Sequence, residues 1–564
     1  MKFRDYPYKR PDMDGISKKV RELLTQFQTA ESAQKQSAII KTINEVRGQF
    51  ESMAEIVLIR HTIDTTDCFY EQEQDYFDET QPIYKGLVSD YYKALVTSPF
   101  RKALEDEWGD QLFRIAELTV KTFSPEIIED LQKENRLATE YDKLIASAKI
   151  EFNGKEYNLN QLMPFRLSTD RATRKKATEA FYGFMANNEA KFDALYDQLV
   201  KVRTIIAKKL GYDNFVDVGY ARMLRTDYSA EQVAKFRKQV EEHIVPITTK
   251  LLKRQAKRIE VDVLKYYDQS IEFKTGNAKP KGDSEWIVKQ AGHMYAEMAP
   301  ETDTFFQFMV EHGLMDLVAK KGKASGGYCT YISELQAPFI FSNFNGTSGD
   351  IDVLTHEGGH AFQAFSSRAF QTPEYQFPTS EAAEIHSMSM EFFAWPWMER
   401  FFGEDVEKYK FSHLSGALMF LPYGVAVDEF QHFVYAHPEA TPEERKQVWR
   451  ELEHKYLPDT DYDGHPYLER GGFWHKQGHI FSDPFYYIDY TLAQICALQF
   501  WKRMTEGEQK AWQDYVHLCQ QGGSRSFTEL VKVAQLISPF EEGCVESVVD
   551  VVEAYLETID DMQL

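Results

Sequence analysis

The sequence predicts a mainly α-helical protein with one small β-sheet set directly before a helix that carries HEGGH. Three observations lead there. Apolar residues recur at three- and four-residue spacing along most of the chain, as in SKKVRELLTQFQTAE and SAIIKTINEVRGQFESMAEIVLIRHTI. That is the period of a helix with one buried stripe. Two segments break it. KIEFNGKEYNL alternates apolar and polar residues around Asn153-Gly154, a pair favoured in tight hairpins. KGKASGGYCTYISELQAPFIFSNFNGTSGD holds Gly326-Gly327, β-favouring residues, Pro338 and Asn345-Gly346.

Read in order, the first 150 residues are successive amphipathic helices, closed by the short hairpin. Thr169-Asp170 then opens a long helical run ending at KKL. This places a lobe boundary near residue 160, with residues 1–160 as an N-terminal helical lobe and 161–564 as a second region. Helical signal continues to about Ala319, interrupted by the polar turn KTGNAKPKGDSE. The sheet segment follows, and everything after it reads as helix. No internal repeat, low-complexity tract or linker is visible. With 564 residues, 43 % hydrophobic and 14 % aromatic, the chain can bury a sizeable core.

Charge and cysteine content exclude several function classes. Lys+Arg is 65 against Asp+Glu 88, a formal charge of −23, which opposes binding to a phosphate backbone. The five cysteines (Cys68, Cys329, Cys496, Cys519, Cys544) form no CxxC pair, so neither a disulfide framework nor a thiolate metal site is indicated. The N-terminus MKFRDYPYKRPDMDG has no apolar signal region. The most apolar stretch, Leu414 to Val427, is broken by Ser415, Gly416, Pro422 and Gly424, and is shorter than the roughly 18 residues a membrane span needs. The expectation is a cytoplasmic protein with neither nucleic-acid nor membrane partners, monomer and homo-oligomer being equally open.

The chemistry concentrates in DVLTHEGGHAFQAFSS. His356 and His360 stand four residues apart, so on a helix both imidazoles face one side and reach one ion. Zinc accepts neutral histidine nitrogens, and a catalytic zinc keeps three protein ligands and one open position for water. Glu357, beside the first histidine, is placed to take a proton from that water. Composition alone yields roughly 0.06 chance matches to this motif type. Gly358 and Gly359 each cost a helix roughly 1 kcal/mol relative to alanine, a cost accepted where another backbone must come close. A third ligand is available in PTSEAAEIHSMSMEFFAW. Pro378-Thr379-Ser380 marks a helix start and Glu384 follows one turn in, with Glu381 as the alternative.

HEGGH followed by Glu384, Ser387 and Glu391 in the order E-x-x-S-x-x-x-E closely resembles the thimet-oligopeptidase family of zinc metallopeptidases (gluzincins), in particular its oligoendopeptidase F and Pz-peptidase branch. STDRATRKKATEAFY, LGYDNFVDVGYARM, PFIFSNFNGT, VDEFQHFVY, DPFYYIDYTLAQ and QQGGSRSFTEL share that look, covering roughly residues 160 to 535. The resemblance implies a large two-lobed helical metallopeptidase with a deep central channel. It implies one Zn2+ held by His356, His360 and Glu384, Glu357 as base, and short unfolded oligopeptides as substrates. Asp352 and Glu391, on the faces of their ligands, are candidates to orient an imidazole.

Hydrolysis develops negative charge on the scissile carbonyl oxygen, which calls for hydrogen-bond donors. GHIFSDPFYYIDYTLAQ offers them. The resemblance points to His479 and Tyr490, with Tyr487 as the second phenol, sharing a helix face with Tyr490. The alternating tyrosine spacing of many oligoendopeptidases would select Tyr486 instead. PFIFSNFNG is expected to offer a strand edge to an extended peptide, beside a wall shaped by Gly326, Gly327 and Tyr328. A dimetal carboxylate bundle is the rival reading, resting on Glu429 and His432 in VDEFQH, but a second well-placed pair would be required and HEGGH has base-and-ligand order instead. A helical peptide-binding scaffold would leave the histidine and glutamate set unexplained.

Overall fold

The computed structural model describes residues 1–564 except 321 and 325. Among the described residues helices dominate, with five short strands. The N-terminal helices α1 (Met13–Thr29), α2 (Ala33–Ile63) and α3 (Cys68–Val96) pack around their own apolar cluster, which includes Phe27, Ile40, Phe50, Tyr91 and Leu95. Asp12, Ser32 and Asp67 cap them by accepting backbone N–H bonds in the first turn. Helix Ile128–Ala146 instead sends Leu137 and Tyr141 into the main core, and the Tyr141 hydroxyl donates to the His475 carbonyl at 3.0 Å. The hairpin at Asn153-Gly154 forms as β1 (Ile150–Phe152) and β2 (Lys155–Tyr157), both turn residues taking positive φ.

The helical run opened by Asp170 divides at Asn188 into Arg171–Asn187 and Glu189–Lys209. The second segment outside the helical pattern forms a three-stranded sheet, β3 (Met315–Val318), β4 (Tyr328–Ile332) and β5 (Ala337–Phe344). β3 therefore begins before Ala319, where the helical signal was expected to end. The strand order is β3-β5-β4, with β5 parallel to β3 and antiparallel to β4. This corrects the expectation for PFIFSNFNG: that strand is central, both of its edges are paired, and the edge beside it belongs to β4. The continuous apolar run of β5 reflects its position, since a strand covered on both faces loses the alternation of an edge strand.

β5 leads through Asn345-Gly346 into α4 (Gly349–Ser367), which carries HEGGH. Asp350 holds that turn by accepting the Asn345 and Gly346 N–H groups, both at 2.8 Å. Next come α5 (Ser380–Phe393), α6 (Val406–Ala436) and α7 (Tyr487–Thr505). The stretch Leu414 to Val427 lies inside α6, uninterrupted by Gly416, Pro422 and Gly424. Gly424 is needed there because any Cβ would collide with Thr491 of α7.

The two motif glycines have the same origin. A Cβ on Gly359 would stand 2.5 Å from the His386 carbonyl oxygen and 2.7 Å from Ser387 Cα, so α4 and α5 meet backbone to backbone. A Cβ on Gly358 would collide with the Tyr295 hydroxyl. Gly359→Ala therefore forces two helix backbones apart, whereas Gly358→Ala displaces a side chain. Overpacking of this kind costs about 1–3 kcal/mol. We expect Gly359→Ala to lower the melting temperature more than Gly358→Ala, measured by thermal denaturation.

Candidate active site

The close approach of α4 and α5 sets three ligating atoms around one point. His356 Nε2 lies 3.3 Å from Glu384 Oε2, and His360 Nε2 lies 3.5 Å from the same oxygen. One donor atom from each of the three residues falls within 4.8 Å of the others. Two ligands about 2.1 Å from an ion at the tetrahedral angle stand about 3.4 Å apart, so the spacing fits zinc. All three donors are of the types zinc prefers in a catalytic site. Glu381, the alternative third ligand, is turned away. It is buried near Asp489 and Arg225, and burial pushes its pKa up to about 8.

Hydrogen bonds fix His356 and Glu384. Glu391 Oε1 lies 2.7 Å from His356 Nδ1, and Glu391 Oε2 lies 2.7 Å from His413 Nε2. Burial works to raise the Glu391 pKa, but the bonds to both imidazoles outweigh it and hold the carboxyl below its ordinary value. The ionised carboxylate accepts a hydrogen bond from the Nδ1–H of His356, which directs Nε2 toward Glu384 and the point a metal would occupy. Asp352 orients no histidine. It accepts from the Tyr409 hydroxyl at 2.7 Å, and burial raises its pKa to about 6. Glu384 Oε1 accepts from Tyr486 at 3.1 Å, while Ser387 Oγ lies 2.9 Å from Oε2. Burial opposes ionisation of Glu384, but His360 and His356 outweigh it and hold its pKa well below the carboxylate range.

Glu357 is 8 % exposed, and burial raises its pKa. The Gly326-Gly327 turn passes beside it. Gly326 takes φ +90°, and a Cβ on Gly327 would stand 3.9 Å from Glu357 Oε1. Tyr328 stacks on Phe341, and its hydroxyl lies 2.7 Å from Thr62 Oγ1 of α2.

His479, Tyr487 and Tyr490 line one cavity of ≈ 550 Å³, together with Met388, Glu391 and Gln477. The Tyr486 ring stacks on His479 with centroids 5.5 Å apart, and its hydroxyl reaches Glu384. The start of α7 is clamped from behind. Arg225 donates to the Phe485 carbonyl and pairs with Asp489 at 2.8 Å, and Gln431 accepts the Phe485 N–H at 2.9 Å. Burial is the largest influence on all three tyrosines here and raises each pKa, so the phenols stay protonated. Burial also lowers the His479 pKa, which keeps its imidazole neutral.

Two residues that sequence reasoning missed set the His479 tautomer. Tyr423 donates to Gln477 Oε1 at 2.9 Å, which turns the Gln477 amide N–H toward His479 Nδ1 at 2.8 Å. Nδ1 therefore accepts and Nε2 carries the proton. Gln477 is the joint between the 3-10 helix Gly472–Lys476 and the short helix Gly478–Ser482 that carries His479, so no periodicity signals it. His413, on α6, was likewise unmarked. Glu429 and His432, the rival metal pair, are engaged elsewhere: Glu429 holds Lys455 at 3.0 Å and His432 lies 3.1 Å from the Tyr220 hydroxyl.

Because Glu391 aligns His356 through one oxygen, Glu391→Ala should weaken metal binding at this candidate site roughly 10–100-fold. Asp352→Asn should leave that affinity nearly unchanged. Competition with a chromogenic chelator measures both.

Residues 3–123 match the Peptidase M3 N-terminal domain and residues 165–549 match Peptidase family M3. The structure of Pz peptidase A with inhibitor 2 is 63 % identical, covers 100 % of both chains and superposes with a TM-score of 0.96. A candidate oligoendopeptidase F of Bacillus anthracis str. Ames is 58 % identical over 100 % of this chain and 99 % of its own, with a TM-score of 0.91. An oligoendopeptidase F homolog of Mycoplasma genitalium is 20 % identical over 430 residues, a match spanning 68 % of this chain and 66 % of the relative. The chain belongs to peptidase family M3, among the oligoendopeptidase F and Pz peptidase proteins.

Proposed function

We propose that the protein is a zinc-dependent oligoendopeptidase that hydrolyses internal bonds of short unfolded peptides. The observation that supports it best is the juxtaposition of His356, His360 and Glu384 with a buried glutamate, Glu357, on the same helix. His356, His360 and Glu384 would hold one zinc ion per chain. Bound zinc supplies a Lewis acid and acidifies water toward a pKa of about 7.

The chain's own residues do the rest. Glu357 accepts the proton that the attacking water gives up and returns it to the leaving amine. Its burial makes it a stronger base than an exposed carboxylate. His479 donates through Nε2, the nitrogen that Gln477 leaves protonated, and Tyr490 donates its phenol to the carbonyl oxygen as negative charge grows there. Tyr487 is the second cavity phenol, while Tyr486 braces the zinc-ligating carboxylate. The five free cysteines suit a reducing compartment, the cytoplasm, and peptide degradation there. Among the described residues no helix is long and apolar enough to cross a membrane.

Two sets of variants test this. Glu357→Gln should keep its zinc while turnover falls by several orders of magnitude, whereas Glu384→Ala should lose zinc. Full turnover in metal-free protein would end the proposal. Tyr490→Phe should lower turnover by roughly 10²–10³, the usual cost of an oxyanion donor, with zinc content and Michaelis constant little changed. Tyr486→Phe should act on zinc affinity before rate. Equal rate losses at Tyr486 and Tyr490 with zinc intact would move Tyr486 to the carbonyl side.

A further inference from the structure

α5 ends at Phe393, and the chain passes directly into a 3-10 turn, Trp395–Trp397. The Trp395 side chain is 5 % exposed, and its indole N–H donates to His413 Nδ1 on α6 at 3.1 Å. The other nitrogen of that ring, Nε2, lies 2.7 Å from Glu391 Oε2, and Glu391 Oε1 lies 2.7 Å from His356 Nδ1. Trp395, His413, Glu391 and His356 thus form one unbroken line of hydrogen bonds. It runs from the core to a candidate metal ligand, and His413 and Glu391 both border the cavity of His479 and Tyr490.

The far end fixes the direction of this line. An indole nitrogen donates and cannot accept. His413 Nδ1 must therefore offer its lone pair, so the ring carries its proton on Nε2 and gives it to Glu391. Glu391 accepts at both oxygens, which leaves His356 to donate through Nδ1 and to turn Nε2 toward Glu384 Oε2, 3.3 Å away. Burial works to lower the His413 pKa, but Glu391 and Asp352 outweigh it and raise it. The indole N–H stands where a second proton would go and keeps the ring singly protonated. A second proton would set a positive charge near the ion and draw the Glu391 carboxylate away from His356. Packing holds the ring as well: Tyr409 stacks on it at 5.5 Å, and Phe392 and Trp395 meet it edge-on at 4.9 and 5.9 Å between centroids.

We propose that Trp395 and His413 are positioning residues for the metal site. The indole keeps His413 Nδ1 unprotonated, His413 holds the Glu391 carboxylate, and Glu391 aims the His356 lone pair. The proposal rests on the zinc-peptidase reading above.

Chelator competition on the full chain measures zinc affinity, with the melting temperature followed in parallel. Trp395→Phe keeps an aromatic ring and removes the N–H, and should weaken zinc binding about tenfold. His413→Leu should weaken it at least as much. His413→Gln should keep most of the affinity, since its amide can accept from the indole with Oε1 and donate to Glu391 with Nε2. Trp395→Phe added to His413→Leu should cost nothing further, because Trp395 acts only through His413. The same loss from Trp395→Phe in both backgrounds would be a packing effect and would overturn the proposal, as would wild-type affinity in His413→Leu. If Trp395→Phe does not fold, His413→Gln and His413→Leu decide, and equal affinity of the two ends the proposal. A wild-type chain that takes up no zinc would end the peptidase reading instead. Nitrogen-15 NMR of the histidine-labelled, metal-free protein then judges the line alone. A His413 ring protonated only on Nε2 in wild type, and no longer so in Trp395→Phe, supports it; the same state in both sinks it.

Discussion

The site depends on two helix backbones touching. Side chains of ordinary size keep packed helices about 8–10 Å apart, and α4 and α5 come closer at Gly359 than any Cβ there would allow. Gly359 removes the obstacle by letting the His386–Ser387 backbone of α5 settle against α4. A glycine pair weakens α4 as an isolated helix. It also fixes where α5 lies, and from that follow the positions of Glu384, Ser387 and Glu391 on successive turns of one face. The stability lost locally is recovered in the packing that only glycine permits.

Around that contact the charges form layers. Glu384 lies between His356 and His360, and Glu391 lies between His356 and His413. Each buried carboxylate is bounded by imidazoles, so burial and pairing oppose each other and pairing prevails at both. Glu357 has no such close partner and its pKa rises. One helix turn thus carries a histidine steered by a fixed anion and a glutamate left free to take a proton. The difference comes from what α5 presents to each.

Much of this was legible in the sequence, and the reasons differ by element. HEGGH could be read because zinc chemistry demands two imidazoles at helical spacing. The glycines were readable as a close approach, although their partners were not. Glu384 over Glu381 could not be separated by spacing alone, since both lie in the first turns of α5; the choice depends on the roll of that helix, which Gly359 sets. The rank of β5 within its sheet was hidden because strand order is a tertiary property, though its unbroken apolar run carried the signal. The Tyr423–Gln477 pair left no trace, since its members are 54 residues apart and join two different elements.

The α7 tyrosines show why a helical wheel is too coarse an instrument for assigning donors. Tyr486 precedes the regular helix, where the backbone still turns out of the Ser482–Phe485 loop, and its phenol reaches across to Glu384. Tyr487 and Tyr490, three residues apart within the helix, line the cavity with His479. Adjacent phenols therefore face different partners. The division is enforced from behind by Arg225, which holds both the Phe485 carbonyl and Asp489, one on each side of the helix start. A rotation of α7 that brought Tyr486 into the cavity would separate Asp489 from Arg225 and leave a buried charge unpaired, an expensive rearrangement. The ion pair thus sets which way each tyrosine hydroxyl points.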